Sequence, residues 1–162
     1  MLLVGCDSKK QIDCNPDDFE EIGCPDVEIA KLSDLVEGVP VDFDYPVEGL
    51  ECFLVKLGDA AEGGVGPNQD VVAFSYICTH MGCSLKGNYN HDHKLLGPCR
   101  CHFTTFSLRR NGGVILGQAT QDLVRVELSI DGDNVIATGL SGVLYGEIDN
   151  RCCNDAQPAG NA

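Results

Sequence analysis

Cys78-Thr79-His80-Met81-Gly82-Cys83, answered downstream by Cys99-Arg100-Cys101-His102, decides how this chain is read. Each stretch sets a thiol and an imidazole on one short turn, spaced Cys-x-His in the first and Cys-x-x-His in the second. Two thiolates and two neutral imidazoles suit zinc or an iron–sulfur cluster. One further cysteine in each stretch, Cys83 and Cys101, is left over, and the two could pair and pin the turns together. Zinc is the plainer alternative, as the core of a disulfide-rich interaction domain. Zinc modules, however, usually space Cys with Cys and His with His, and here the two types are mixed within each turn.

This mixed order resembles the Rieske family, whose [2Fe–2S] centre has two Cys on one iron and two His on the other. The resemblance implies an all-β fold of antiparallel sheets with a cluster-binding subdomain of ligand loops. It implies that Cys78 and Cys99 bind the inner iron and that His80 and His102 bind the outer one, with their free ring edges near solvent. It also implies a Cys83–Cys101 disulfide. The connection from residue 81 to residue 98 is slightly longer than in many members. It carries His91, Asp92 and His93, which read as a polar turn rather than a second metal site.

The chain has 162 residues, enough for one domain with a buried core. It has no Trp and 19 Gly, and no long amphipathic helical pattern, which points to β structure. The formal net charge of −14 argues against nucleic acid, whose phosphates it would repel. It permits docking onto a basic protein such as many c-type cytochromes, or is simply a solubilising surface. Ten cysteines are many. A disulfide requires an oxidising compartment, so an exported protein is expected, in the periplasm or on the outer face of the cytoplasmic membrane. The pairing of Cys6, Cys14, Cys24, Cys52, Cys152 and Cys153 stays open, although Cys14 and Cys24 could close a small loop.

Residues 1–26 read as an irregular, acidic N-terminal arm. Its Leu3-Val4-Gly5-Cys6 resembles the end of a bacterial lipobox, which makes Cys6 a candidate lipid anchor; the alternative is the ordinary start of a soluble chain. No run approaches a membrane span. Residues 27–148 form the expected domain, with the cluster-binding part at about 76–121. Strands are expected near 27–35, 39–45, 51–57 and 71–77, then at 95–96, 103–108 and 114–116, and finally at 123–130, 135–138 and 143–145. Asn111-Gly112 and Asp131-Gly132-Asp133-Asn134 are hairpin signals. Gly117-Gln118-Ala119-Thr120 stands where a third loop covers the cluster in Rieske domains, here without the prolines of many members. Residues 149–162 read as a polar tail.

The residues also sort among Rieske types. Oxygenase-type ferredoxins usually lack the two extra cysteines. Quinol-oxidising members have them, but typically read Cys-His-Gly-Ser-x-Tyr, and this chain reads Cys101-His102-Phe103-Thr104-Thr105-Phe106. Thr104 can still donate an O–H toward the cluster, whereas Phe106 cannot. One lost donor implies a potential below that of quinol-oxidising centres, inside a window of roughly −150 to +300 mV. With Asp122-Leu123 and Gly142-Val143-Leu144-Tyr145-Gly146, the pattern is similar to the small subunit of arsenite oxidase; iodate-reductase-type small subunits are similar too. The resemblance implies an electron-transfer subunit beside a molybdopterin-containing large subunit, with a cytochrome c or small copper protein as acceptor. It leaves this chain no substrate pocket or catalytic residue of its own.

Overall fold

The computed structural model describes residues 24–146. Six strands build the larger sheet: β1 (Val27–Lys31), β2 (Val41–Asp44), β3 (Glu51–Lys56), β4 (Val71–Ser75), β9 (Arg125–Asp131) and β10 (Asn134–Ser141). Their order is β1-β10-β9-β4-β3-β2, antiparallel throughout. Four short strands build the second sheet in chain order: β5 (Tyr89–Asn90), β6 (Leu95–Leu96), β7 (Thr105–Ser107) and β8 (Gly113–Leu116). That sheet comes from the segment between β4 and β9, which are neighbours in the first sheet through Ala73–Val126 and Phe74–Arg125. The cluster-binding part is thus an insertion between two paired strands.

The period-2 alternation of β3 and β4 explains how both parts are held. Phe53, Val55, Val72 and Phe74 point to one side and pack with Cys78, Leu85, Leu96, Cys99 and Phe106. Cys52, Leu54, Val71 and Ala73 point to the other and pack with Tyr45, Val126, Val135 and Ala137. All five residues of β4 are buried, as expected of a strand covered on both faces. The sheet therefore separates two cores, one of which continues into the insertion and includes both candidate ligand thiols.

The turns follow their sequence signals. Asn111 and Gly112 both take positive φ, 50° and 77°, and reverse the chain after the Leu108–Arg110 3-10 turn, so the connection is longer than a two-residue hairpin turn. Gly132 opens the β9–β10 hairpin, and Asp133 beside it accepts the backbone N–H and hydroxyl of Ser33 at 3.0 and 2.7 Å. Three expectations need correction. Residues 143–145 form no strand: β10 ends at Ser141, Gly142 takes a φ of 101°, and Leu144 and Tyr145 fold back instead. The strand expected at 103–108 covers only Thr105–Ser107, because Phe103 is turned to positive φ and Leu108–Arg110 winds into a 3-10 turn. The strand expected at 71–77 stops at Ser75, where the chain bends into the first candidate ligand turn.

Candidate metal centre

Both ligand-bearing turns leave strands of the core and are built alike. In the first, the Cys78 N–H donates to Cys83 O and the Gly82 N–H donates to Cys78 O, both at 2.9 Å. In the second, the Cys99 N–H donates to Thr104 O and the Phe103 N–H donates to Cys99 O, both at 2.8 Å. The residue four after each cysteine takes the left-handed conformation, Gly82 at φ 71° and Phe103 at φ 62°. Gly82 has a second reason to lack a side chain: a Cβ there would lie 2.6 Å from the Tyr145 ring. The Cys83–Cys101 disulfide is formed and joins the turns, with its Cα atoms 6.5 Å apart.

The structure brings the four candidate ligands together in two pairs, thiol with thiol and imidazole with imidazole. Cys78 and Cys99 are 1% exposed and reduced. His80 and His102 are half-buried, with ring centroids 4.6 Å apart and ring planes at 89°. Burial pushes the Cys78 thiol up, and the adjacent Cys99 thiol adds to this; backbone N–H groups of His80 and Met81 pull the other way. Burial thus disfavours the Cys78 thiolate unless a cation stands beside it. His80 Nδ1 is buried with no hydrogen-bond partner among the described residues. An orphaned ring nitrogen beside paired thiols is costly for a fold unless it ligates something. The donor set therefore fits a cluster held by two thiolates and two imidazoles.

Other groups fix this arrangement. Fully buried Thr104 accepts the N–H groups of Gln118 and Ala119 at 3.2 and 3.4 Å through its hydroxyl oxygen. It thereby binds the third loop to the second, a role beyond the donor role the sequence suggested. Gly117 allows the approach, since a Cβ there would lie 2.3 Å from Thr104 Cα. Thr79 donates from its hydroxyl to Gln121 O at 2.8 Å and binds the first loop to the third. Asn88 donates to Pro98 O at 2.6 Å and supports the second turn. Neither Thr79 nor Asn88 was singled out from sequence; only the preference of Thr and Asn for bonding nearby backbone pointed to them. Phe106 is fully buried in the same core as Cys78 and Cys99.

His91 is a structural residue. Its Nδ1 meets the Tyr89 hydroxyl at 3.0 Å, its Nε2 meets Lys94 Nζ at 3.0 Å, and Glu37 lies 3.5 Å away. An ammonium at the ring nitrogen is incompatible with a metal there, so the turn of His91, Asp92 and His93 is a polar staple. Cys52 is buried outside any disulfide, its thiol donating to Tyr45 O at 3.5 Å. Cys6, Cys14, Cys152 and Cys153 lie outside the described residues, as do most of the expected arm and the whole tail.

Comparison with known proteins agrees with this geometry. The model of the Rieske [2Fe-2S] domain matches residues 26–127. Iodate reductase subunit IdrB of Denitromonas iodatirespirans is 50% identical over 127 residues, covering 78% of this chain and 69% of that protein. Its counterpart from Pseudomonas sp. (strain SCT) is 48% identical over 131 residues, covering 81% and 67%. Among solved structures, the soluble domain of Rieske protein II (soxF) from Sulfolobus acidocaldarius superposes with a TM-score of 0.68 at 24% identity, covering 80% of this chain and 84% of that one. The fold and the family match together mean that this chain belongs to the Rieske [2Fe–2S] domain family and is an electron-transfer protein with a [2Fe–2S] cluster as its cofactor.

Proposed function

We propose that Cys78 and Cys99 hold the buried iron, that His80 and His102 hold the outer iron, and that the chain is the electron-transfer subunit of a molybdopterin oxidoreductase acting on an oxyanion. The observation that carries the subunit reading is 50% identity over 127 residues to an iodate reductase subunit. The ligand reading is supported by the two buried thiols and the orphaned His80 Nδ1. When bound, the cluster exchanges single electrons. The chain's own residues hold it dry on the core side and leave the two imidazole edges as the route in or out. Thr104 and Phe106 set its potential, Thr104 by its hydroxyl and Phe106 by offering none.

The relatives favour iodate as the partner subunit's substrate, so that electrons flow inward through this chain. The sequence motifs shared with arsenite oxidase small subunits support arsenite, with electrons flowing outward. A cytochrome c or small copper protein is the carrier in either direction. The Cys83–Cys101 disulfide supports an exported location, in the periplasm or on the outer membrane face. Cys6 remains the candidate lipid anchor. No helix among the described residues is long and apolar enough to cross a membrane.

The test is to purify the chain from its host with whatever it binds. A co-purifying molybdenum subunit that reduces iodate with a viologen donor supports the first substrate; one that oxidises arsenite with ferricyanide supports the second. Cys99→Ser in this chain should leave artificial-dye activity intact and abolish activity coupled to the carrier. A cytochrome b in place of the molybdenum subunit would contradict the reading and favour a quinol-linked complex.

A further inference from the structure

The two matching turns differ at one position that bears on docking. Gly82 takes the left-handed conformation freely, whereas Phe103 takes it under strain. Phe103 is 67% exposed, so packing does not repay the strain. Its ring lines an open groove of about 550 Å³ together with Tyr89, Pro98, Arg100 and Cys99. The groove therefore runs beside Cys99, a candidate ligand of the cluster, and two aromatic residues and one arginine are among its lining residues.

Charge is distributed unevenly along the chain. Residues 76–121 contain one acidic residue, Asp92, of the 25, and five of the 11 basic ones. Of those five, Lys86 is paired with Asp42 and Glu51 of the large sheet, and Lys94 is buried against His91. Arg109 and Arg110 follow β7 and line a different cavity with Glu62 and His93. Arg100 is the single charged side chain on the two ligand turns. Among the described residues, every other carboxylate lies outside this segment, on the large sheet and its loops. Among those residues, a lysine-rich carrier therefore finds its carboxylates outside the insertion.

We propose that this groove is the docking slot for the small redox carrier with which the chain exchanges electrons, an acidic one, and that the carrier fills it with a carboxylate against Arg100 and an apolar side chain against Phe103. A groove lined by an exposed aromatic and one cation, with no acid among its lining residues, is complementary to such a surface and disfavours a cationic one. The inference rests on the assignment of Cys99 and His102 as ligands.

The test uses the dithionite-reduced protein and follows one electron passing to an acceptor, read by stopped flow at low ionic strength. The probes are an acidic copper protein, whose Cu(II) becomes Cu(I), and a lysine-rich cytochrome c, whose Fe(III) becomes Fe(II). Arg100→Glu should slow transfer to the copper protein by about tenfold or more and leave the cytochrome rate unchanged or higher. Lys31→Glu, on edge strand β1, changes net charge equally and should have a much smaller effect. Phe103→Gly should slow transfer to the copper protein while the cluster spectrum stays intact and the melting temperature is equal or higher, which a structural role for the ring would not give. Equal effects of Arg100→Glu and Lys31→Glu, or wild-type rates for Phe103→Gly, would overturn the inference. Failure of the ligand assignment shows separately, as a Cys99→Ser protein that keeps its electron paramagnetic resonance spectrum.

Discussion

At the scale of single residues, Thr104 and Phe106 bear most directly on the cluster. The Thr104 hydroxyl oxygen accepts two backbone N–H groups of the third loop, and in the proposed account its own proton is donated to the cluster. Thr104→Val should cost about 1–3 kcal/mol in urea denaturation, because buried donors lose their acceptor, and it should lower the potential in voltammetry. Thr104→Ser should retain most of both. Phe106→Tyr adds an O–H within the core that contains both thiols, so the potential should rise; an unchanged potential would remove Phe106 from the tuning account. The cofactor was readable because mixed Cys-x-His and Cys-x-x-His spacing is chemically specific. The acceptor role of Thr104 was not, since it depends on a loop more than ten residues away along the chain. The left-handed Phe103 was equally hidden: sequence flags glycine for that conformation, and Phe gives no such signal.

At the scale of elements, the long strands of the large sheet were legible and the small sheet was only partly so. β3 and β4 are strongly apolar runs of five or six residues. β5 has two residues, Tyr89 and Asn90, too few to show any period, and it exists only because Leu95 and Leu96 pair with it. Residues 143–145 looked like a strand by composition, but Gly142 turns the chain at a φ of 101°, and Tyr145 packs against Gly82 instead. Strand β3 also carries a pH dependence. Burial, reinforced by the Asp44 carboxylate, pushes the Cys52 thiol from its ordinary 9 up to about 12. Between those values the unfolded chain gives up a proton that the folded chain keeps. Stability is therefore full below pH 9 and falls as pH rises toward 12, by an amount on the order of 2–4 kcal/mol. Urea midpoints measured across that range should fall, and Cys52→Ala should flatten part of the fall. Between elements, the disulfide is the tie that joins the two ligand turns. Replacing Cys83 and Cys101 together by Ser should lower stability by about 2–4 kcal/mol in thermal unfolding of the oxidised protein.

At the scale of the whole molecule, an acidic sheet supports a redox end in which basic residues outnumber acidic ones five to one. The net charge of −14 read from the sequence permits a basic carrier or is simply a solubilising surface, and among the described residues only one acid, Asp92, lies in residues 76–121. A sum of charges carries no position; the insertion between β4 and β9 supplies it, since it lifts residues 76–121 off the sheet that carries the acids. The same insertion explains why the cofactor was legible and its docking face was not: the ligands are adjacent in sequence, while the groove is assembled from the β5–β6 hairpin and the second turn. The central claim is that Cys78, His80, Cys99 and His102 together hold one [2Fe–2S] cluster. Pulsed electron paramagnetic resonance of the dithionite-reduced protein tests it most directly, by counting nitrogens bound to the reduced iron. The account predicts two coordinated imidazole nitrogens, with one of them lost in His102→Cys. A reduced cluster with no coordinated nitrogen, or a silent protein containing zinc and no acid-labile sulfide, would contradict it.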